Sequence, residues 1–128
     1  MAAYSECRQT QGGDVSIVAN LRLSDLDADR QLLDLSGASL VIFTSTGCAS
    51  CRFLEQWLPK QPLPVERLIW IDAGESQGLV SRYEVFHLPA LFLVRDGHFF
   101  GEVRASLRGD SLVKALAVQW QQPAEELP

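Results

Sequence analysis

The segment Thr46-Gly47-Cys48-Ala49-Ser50-Cys51-Arg52 holds two of the chain's three cysteines. A helical pattern begins near Cys48, and residues three apart on a helix share a face within reach of a disulfide bridge. At a helix start, unpaired backbone N–H groups and the positive end of the helix dipole converge on the first cysteine. That setting favours thiolate over thiol and makes Cys48 the candidate nucleophile. Cys51, one turn further in, is expected to face the apolar side and to stay protonated until needed. The chemistry such a pair can do is thiol–disulfide exchange. Cys48 attacks a disulfide, a mixed disulfide forms, and Cys51 resolves it. Two plainer readings compete: a pair of core thiols, or a zinc site assembled from Cys7, Cys48, Cys51 and either His87 or His98. No second closely spaced ligand pair exists and Cys7 lies in a polar leader, so the redox reading is preferred and no metal is expected. Cys7 itself reads as an unpaired, exposed thiol.

The elements that must position this pair are legible from pattern. Val15, Ile17 and Ala19 alternate with polar neighbours, as a strand does. Ser24 or Asp25 can cap a helix whose apolar face is Leu26, Leu32, Leu33 and Leu35, ending at Gly37. Leu40-Val41-Ile42-Phe43 is an unbroken apolar run leading to the cysteines, and it reads as an interior strand covered on both faces. After them, Cys51, Leu54, Trp57 and Leu58 mark one helical face, ended by Pro59, Pro62 and Pro64. Leu68-Ile69-Trp70-Ile71 is a second interior strand, Leu79, Val80 and Tyr83 a short helix, and Ala90 to Val94 a third strand. Asp96-Gly97 signals a hairpin into Phe99–Val103. Asp110 or Ser111 caps a last helix carrying Leu112, Leu116 and Trp120. The order is βαβαβαββα, an α/β architecture with a central mixed sheet flanked by helices; the early strands joined through helices are expected to be parallel neighbours, and the hairpin adds an antiparallel pair. Trp57, Trp70 and Trp120 are assigned to core packing. Residues 1–13 read as a loose leader, 14–120 as one domain, and 121–128, with two prolines and no periodicity, as a flexible tail.

Composition narrows what the exchange chemistry can serve. The chain has 128 residues, 47% of them apolar and 21% charged, with a net charge of −5. It is too apolar for disorder, and no apolar stretch approaches the roughly 20 residues that cross a bilayer. A net negative chain is a poor general binder of nucleic-acid phosphate. An odd, small number of cysteines is no disulfide scaffold, and no signal peptide is evident, so a cytoplasmic location is expected.

A family resemblance rests on these same segments. Val41-Ile42-Phe43 running into Cys48-Ala49-Ser50-Cys51 resembles the strand-to-helix active site of the thioredoxin family. Phe86-His87-Leu88-Pro89-Ala90 followed by Leu91-Phe92-Leu93-Val94 is similar to its cis-proline segment, Arg95-Asp96-Gly97 to its hairpin, and Ile71-Asp72 to the end of its middle strand. The resemblance spans roughly residues 15–120 and implies a thioredoxin-like fold. By position it implies that Pro89 is the cis-proline, that Leu88 offers backbone hydrogen bonds to a substrate chain adding as a short strand, and that Gly47 lines the same substrate site. The chain departs from the family pattern in three places, one of them the shorter, blunter second helix that Pro59, Pro62 and Pro64 impose. Gly47-Cys48-Ala49-Ser50-Cys51 stands where Trp-Cys-Gly-Pro-Cys is usual, and Ile42 replaces the buried aspartate that assists the second cysteine. Water or another base must then deprotonate Cys51, with Glu55 the nearby candidate.

The expectation is a protein-disulfide oxidoreductase serving redox homeostasis and electron transport. It would work as a monomer, with no cofactor beyond the Cys48–Cys51 disulfide, on protein or peptide disulfides and with a reductase to regenerate it. Nucleic acid and membranes are not expected partners. The alternative is a thioredoxin-fold interaction or redox-sensing module with little turnover. His87 is either an ordinary loop histidine or a group that tunes Cys48, His98 is expected to face solvent, and Arg52 either steers acidic substrates or solvates its helix.

Overall fold

The computed structural model describes residues 19–105 and 110–128. Its elements are β1 (Ala19–Leu23), α1 (Ala28–Asp34), β2 (Ala38–Thr44), α2 (Ala49–Trp57), β3 (Arg67–Asp72), α3 (Gln77–Arg82), β4 (Ala90–Arg95), β5 (His98–Glu102) and α4 (Ser111–Trp120), in the expected βαβαβαββα order. Short 3₁₀ turns at Leu58–Lys60 and Ala73–Glu75 follow α2 and β3. The expected positions Val15 and Ile17, with the rest of the leader and Cys7, lie outside the described residues.

The strands form one sheet in the order β1-β3-β2-β4-β5. β3 lies between β1 and β2 and runs parallel to both, while β2–β4 and β4–β5 are antiparallel. The first two strands in sequence are therefore parallel but not neighbours, which corrects the simplest reading of the connections. All seven residues of β2 are buried. Alternation along a strand sends neighbouring side chains to opposite faces. Thus Leu40 and Ile42 join Leu54 and Leu58 from the α2 side and Leu112 and Leu116 of α4. Val41 and Phe43 join Ala28 and Leu32 of α1 and Leu79 and Tyr83 from the α3 end. Two apolar layers on one sheet explain why its central strands read as continuous hydrophobic runs.

Several local expectations shift. The leucine face assigned to the first helix is split, because Leu32 is buried while Leu26 and Leu33 are 96% and 60% exposed. α1 begins at Ala28, after a turn in which the Asp27 carboxylate accepts the Ser24 N–H at 2.8 Å. Trp70 is a core residue, with its indole N–H donated to Asn20 Oδ1 at 2.9 Å. Trp57 and Trp120 are only partly buried, Trp57 stacking on the half-exposed Phe53 and Trp120 lying over the Arg95 guanidinium.

The Asp96-Gly97 turn has positive φ at both residues, 50° and 78°, as a two-residue hairpin demands. Past it, a bulge interrupts the β4–β5 register between Phe92 and Val94. Gly101, at φ 95°, admits the Gln119 amide of α4 to a place that a Cβ would occupy. Residues 121–128 do not trail away from the domain. Glu125 exchanges both backbone hydrogen bonds with Phe99, at 2.8 and 2.9 Å, and Leu127 packs on the α1–α3 layer.

Candidate functional site

The register of the sheet decides what meets the cysteines. β2 ends at Thr44, and its antiparallel partner β4 begins at Ala90, which pairs with Phe43. The segment before β4 and the loop after β2 therefore emerge at the same end of the sheet. The Leu88–Pro89 peptide bond is cis, as the resemblance implied. Ser50, between the cysteines, and Leu88 and Pro89 line one groove of about 370 Å³. The hairpin turn and His98 lie at the opposite end of β4, since Arg95 pairs with both Ala38 and His98. His98 cannot share a metal with Cys48, and among the described residues no group of three or more His, Cys, Asp or Glu could hold one. The zinc reading therefore has no structural support.

Cys48 is the N-cap of α2. Its carbonyl accepts the Arg52 N–H at 3.2 Å, the first turn of the helix. Its sulfur accepts the Cys51 N–H at 3.1 Å, the position an aspartate or serine oxygen usually fills. The two cysteines are joined as a disulfide with Cα atoms 5.2 Å apart. They differ in exposure as helical geometry requires. Cys48 is partly exposed at the helix tip, while Cys51 is fully buried one turn in. On reduction, the N–H and helix dipole that meet the Cys48 sulfur stabilise a negative charge there.

The other named residues take distinct places. Gly47 is exposed, and a Cβ added there would meet nothing within 4 Å, so the approach to Cys48 from that side is open. Ile42 is fully buried in the apolar layer that also holds Leu54 and Leu58, and among the described residues no carboxylate is buried. Glu55 lies one turn past Cys51 and is partly exposed, and Arg52 is exposed.

His87 faces Glu102. Its Nε2 lies 3.1 Å from Glu102 Oε2, and Arg104 meets Glu102 Oε1 through both Nη2 and Nε at 3.2 Å. These three residues line the same groove as Ser50 and Pro89. Glu102 and Arg104 carry no signal in local spacing. What could have found them is the hairpin itself, which folds the end of β5 back beside the residues that precede β4.

The comparisons with known proteins agree with this geometry. Mitochondrial thioredoxin 3 of Saccharomyces cerevisiae is 27% identical over 84 residues, 64% of this chain and 66% of that protein, so the match spans just under two thirds of the relative's length. Thioredoxin of Staphylococcus aureus is 28% identical over 83 residues, covering 62% of this chain and 78% of that one. The oxidised crystal structure of the yeast protein superposes with a TM-score of 0.58 at 26% identity, over 68% of this chain and 82% of that one. A thioredoxin point mutant from Halobacterium salinarum matches in fold, with a TM-score of 0.58 at 24% identity over 91% of this chain and all of the other. The family model described as thioredoxin matches residues 20–118, more than half of the chain, and by that match the protein belongs to the thioredoxin family.

Proposed function

We propose that the protein is a thiol–disulfide oxidoreductase that reduces disulfides in proteins or peptides, with Cys48 as nucleophile and Cys51 as resolving thiol. The observation that carries this reading is the Cys48 sulfur at the start of α2, reachable from solvent and already accepting the Cys51 N–H, with Cys51 buried behind it. In the reduced protein the Cys48 thiolate attacks one sulfur of a substrate disulfide. A bond to Cys48 forms as the substrate's own S–S bond breaks, and the departing sulfur takes a proton from solvent. Cys51 then gives up its proton, to water or to Glu55, and its thiolate attacks the Cys48 sulfur. The second substrate sulfur leaves and is protonated in turn. The substrate has gained two electrons and the pair has become the Cys48–Cys51 disulfide. Thioredoxins act through their own disulfide, need no cofactor and are recharged by a reductase, and the same supply is proposed here.

The groove beside Pro89 suits a substrate chain laid in extended form against Leu88, with Gly47 leaving room on the cysteine side. A cytoplasmic, monomeric protein belongs to the same proposal, checked by cell fractionation and sedimentation. Cys51→Ser is expected to trap a mixed disulfide through Cys48, and the wild type to reduce insulin. If the variant traps nothing and insulin stays oxidised, the redox assignment fails.

One observation favours the second reading, an interaction or sensing module. Ile42 leaves the layer beneath α2 without a buried base, which slows the resolving step. The Cys48 thiol separates the two. Thiolate absorbance titrating below the ordinary cysteine range supports the oxidoreductase, and an unperturbed titration supports the module.

A further inference from the structure

The groove beside Pro89 has a charged wall that the exchange chemistry itself does not use. Besides Ser50, Leu88 and Pro89, the groove is lined by His87, Glu102 and Arg104. Glu102 is the least exposed of these three side chains, His87, Glu102 and Arg104, and has both oxygens engaged, one by His87 and one by Arg104. Arg104 is the most exposed, its side chain 83% accessible. A guanidinium carries five N–H donors in a rigid plane. The Nε–H donates to Glu102 Oε1, Nη2 lies 3.2 Å from the same oxygen, and among the described residues Nη1 has no acceptor. Arg104 is thus oriented by a carboxylate behind it and open in front.

We infer that Arg104, oriented by Glu102, is a specificity-determining residue that favours substrates with an acidic side chain close to the disulfide cysteine attacked by Cys48. The inference rests on the oxidoreductase reading for its substrate class and on charge complementarity for its preference. Fixing the guanidinium in advance removes part of the entropy that a free arginine loses on binding, and its planar fork matches a carboxylate. The pair that forms is exposed, so its effect is modest: a preference of at most about fivefold, weakened by salt.

The test uses three disulfide-linked peptides that differ in one residue beside the reactive cysteine, Glu, Gln or Lys, at low ionic strength. In the wild type kcat/KM is expected to fall in the order Glu, Gln, Lys. Arg104→Ala is expected to bring the three together, and Arg104→Glu to reverse the order. Arg30→Ala, which removes an equal charge from α1, is expected to leave the order as it is. The same peptides are titrated onto a Cys48→Ser/Cys51→Ser variant, where docking is read without turnover. Equal rates and equal affinities across the wild-type series, or a preference that survives Arg104→Ala, overturn the inference. Failure to reduce any peptide, with the Glu peptide still bound preferentially through Arg104, overturns the oxidoreductase reading and with it the substrate role, and leaves Arg104 only as a groove residue that selects acidic peptides for binding.

Discussion

At Cys48 the group that starts a helix is also the proposed nucleophile, so one set of backbone donors both ends the loop and favours the thiolate. The strongest shift of a titrating group lies elsewhere. Tyr83 is only 4% exposed and packs edge-on to Phe92 and Phe99 and tilted against Phe43. Burial, with the Asp29 carboxylate adding to it, pushes its phenol up to about 12. The unfolded chain ionises this group near pH 10. Between about pH 10 and 12 the unfolded state therefore binds fewer protons than the folded one, and stability falls as the pH rises through that window. The stabilisation is fully present below pH 10, and a gap of about two units corresponds to roughly 3 kcal/mol at most. Tyr83→Phe is expected to remove this part of the alkaline loss, read from urea unfolding at pH 9 and pH 11.5; an alkaline slope equal to that of the wild type would count against it. Cys48, Cys51, Leu88 and Pro89 were legible in the sequence because each is marked by its immediate neighbours. Arg104 and Glu102 were not, since their meaning depends on His87, fifteen positions before Glu102 and brought there by a hairpin.

Among the elements, the short helix α3 depends on a residue that precedes α1. Asp25 reads in sequence as a cap for the helix that follows it. Its carboxylate instead accepts the N–H groups of Gly78 at 3.0 Å and Leu79 at 2.9 Å, in the first turn of α3. Asp27, the N-cap of α1, makes no side-chain bond into that helix, and its carboxylate accepts the Ser24 N–H instead. Choosing between two aspartates two residues apart needs the fold, because either satisfies the local pattern. The same displacement explains the misplaced leucines. Once α1 starts at Ala28, Leu32 faces the sheet, while Leu33, the next residue round the helix, turns toward solvent. A helix of six residues cannot persist alone, so the cross-chain cap and the burial of Leu79 hold α3 in place. Asp25→Ala is expected to cost about 1–2 kcal/mol, the upper part of the range for a lost N-cap. The denaturant midpoint measures it, with Asp25→Asn retaining most of the stability because its amide oxygen still accepts; equal midpoints for Ala and wild type would show that the cap contributes nothing.

For the molecule as a whole, the sheet's two outer strands are β1 and β5, and an uncovered edge is a template for pairing with another chain. Central strands announced themselves through continuous apolar runs. That β3 separates β1 from β2 did not, because strand order is set by packing across the sheet and leaves no mark in any one segment. The covering of β5 is equally non-local. Residues 121–128 have the composition of a loose end, yet Glu125 takes both hydrogen bonds of Phe99 and Leu127 packs on the α1–α3 layer. Two backbone hydrogen bonds and one partly buried leucine together stabilise the fold by about 2 kcal/mol. Removal of residues 123–128 is accordingly expected to lower the melting temperature by roughly 5–10 °C. It is also expected to raise the tendency to self-associate as the β5 edge opens, followed by sedimentation at increasing concentration. Glu125→Pro separates the two contributions, since it deletes the N–H donated to Phe99 while leaving Leu127 in the chain. A truncated protein that melts with the wild type and stays monodisperse would mean that β5 needs no cover, and that the groove end of the sheet, where Glu102 and Arg104 stand, is held by β4 and α4 alone.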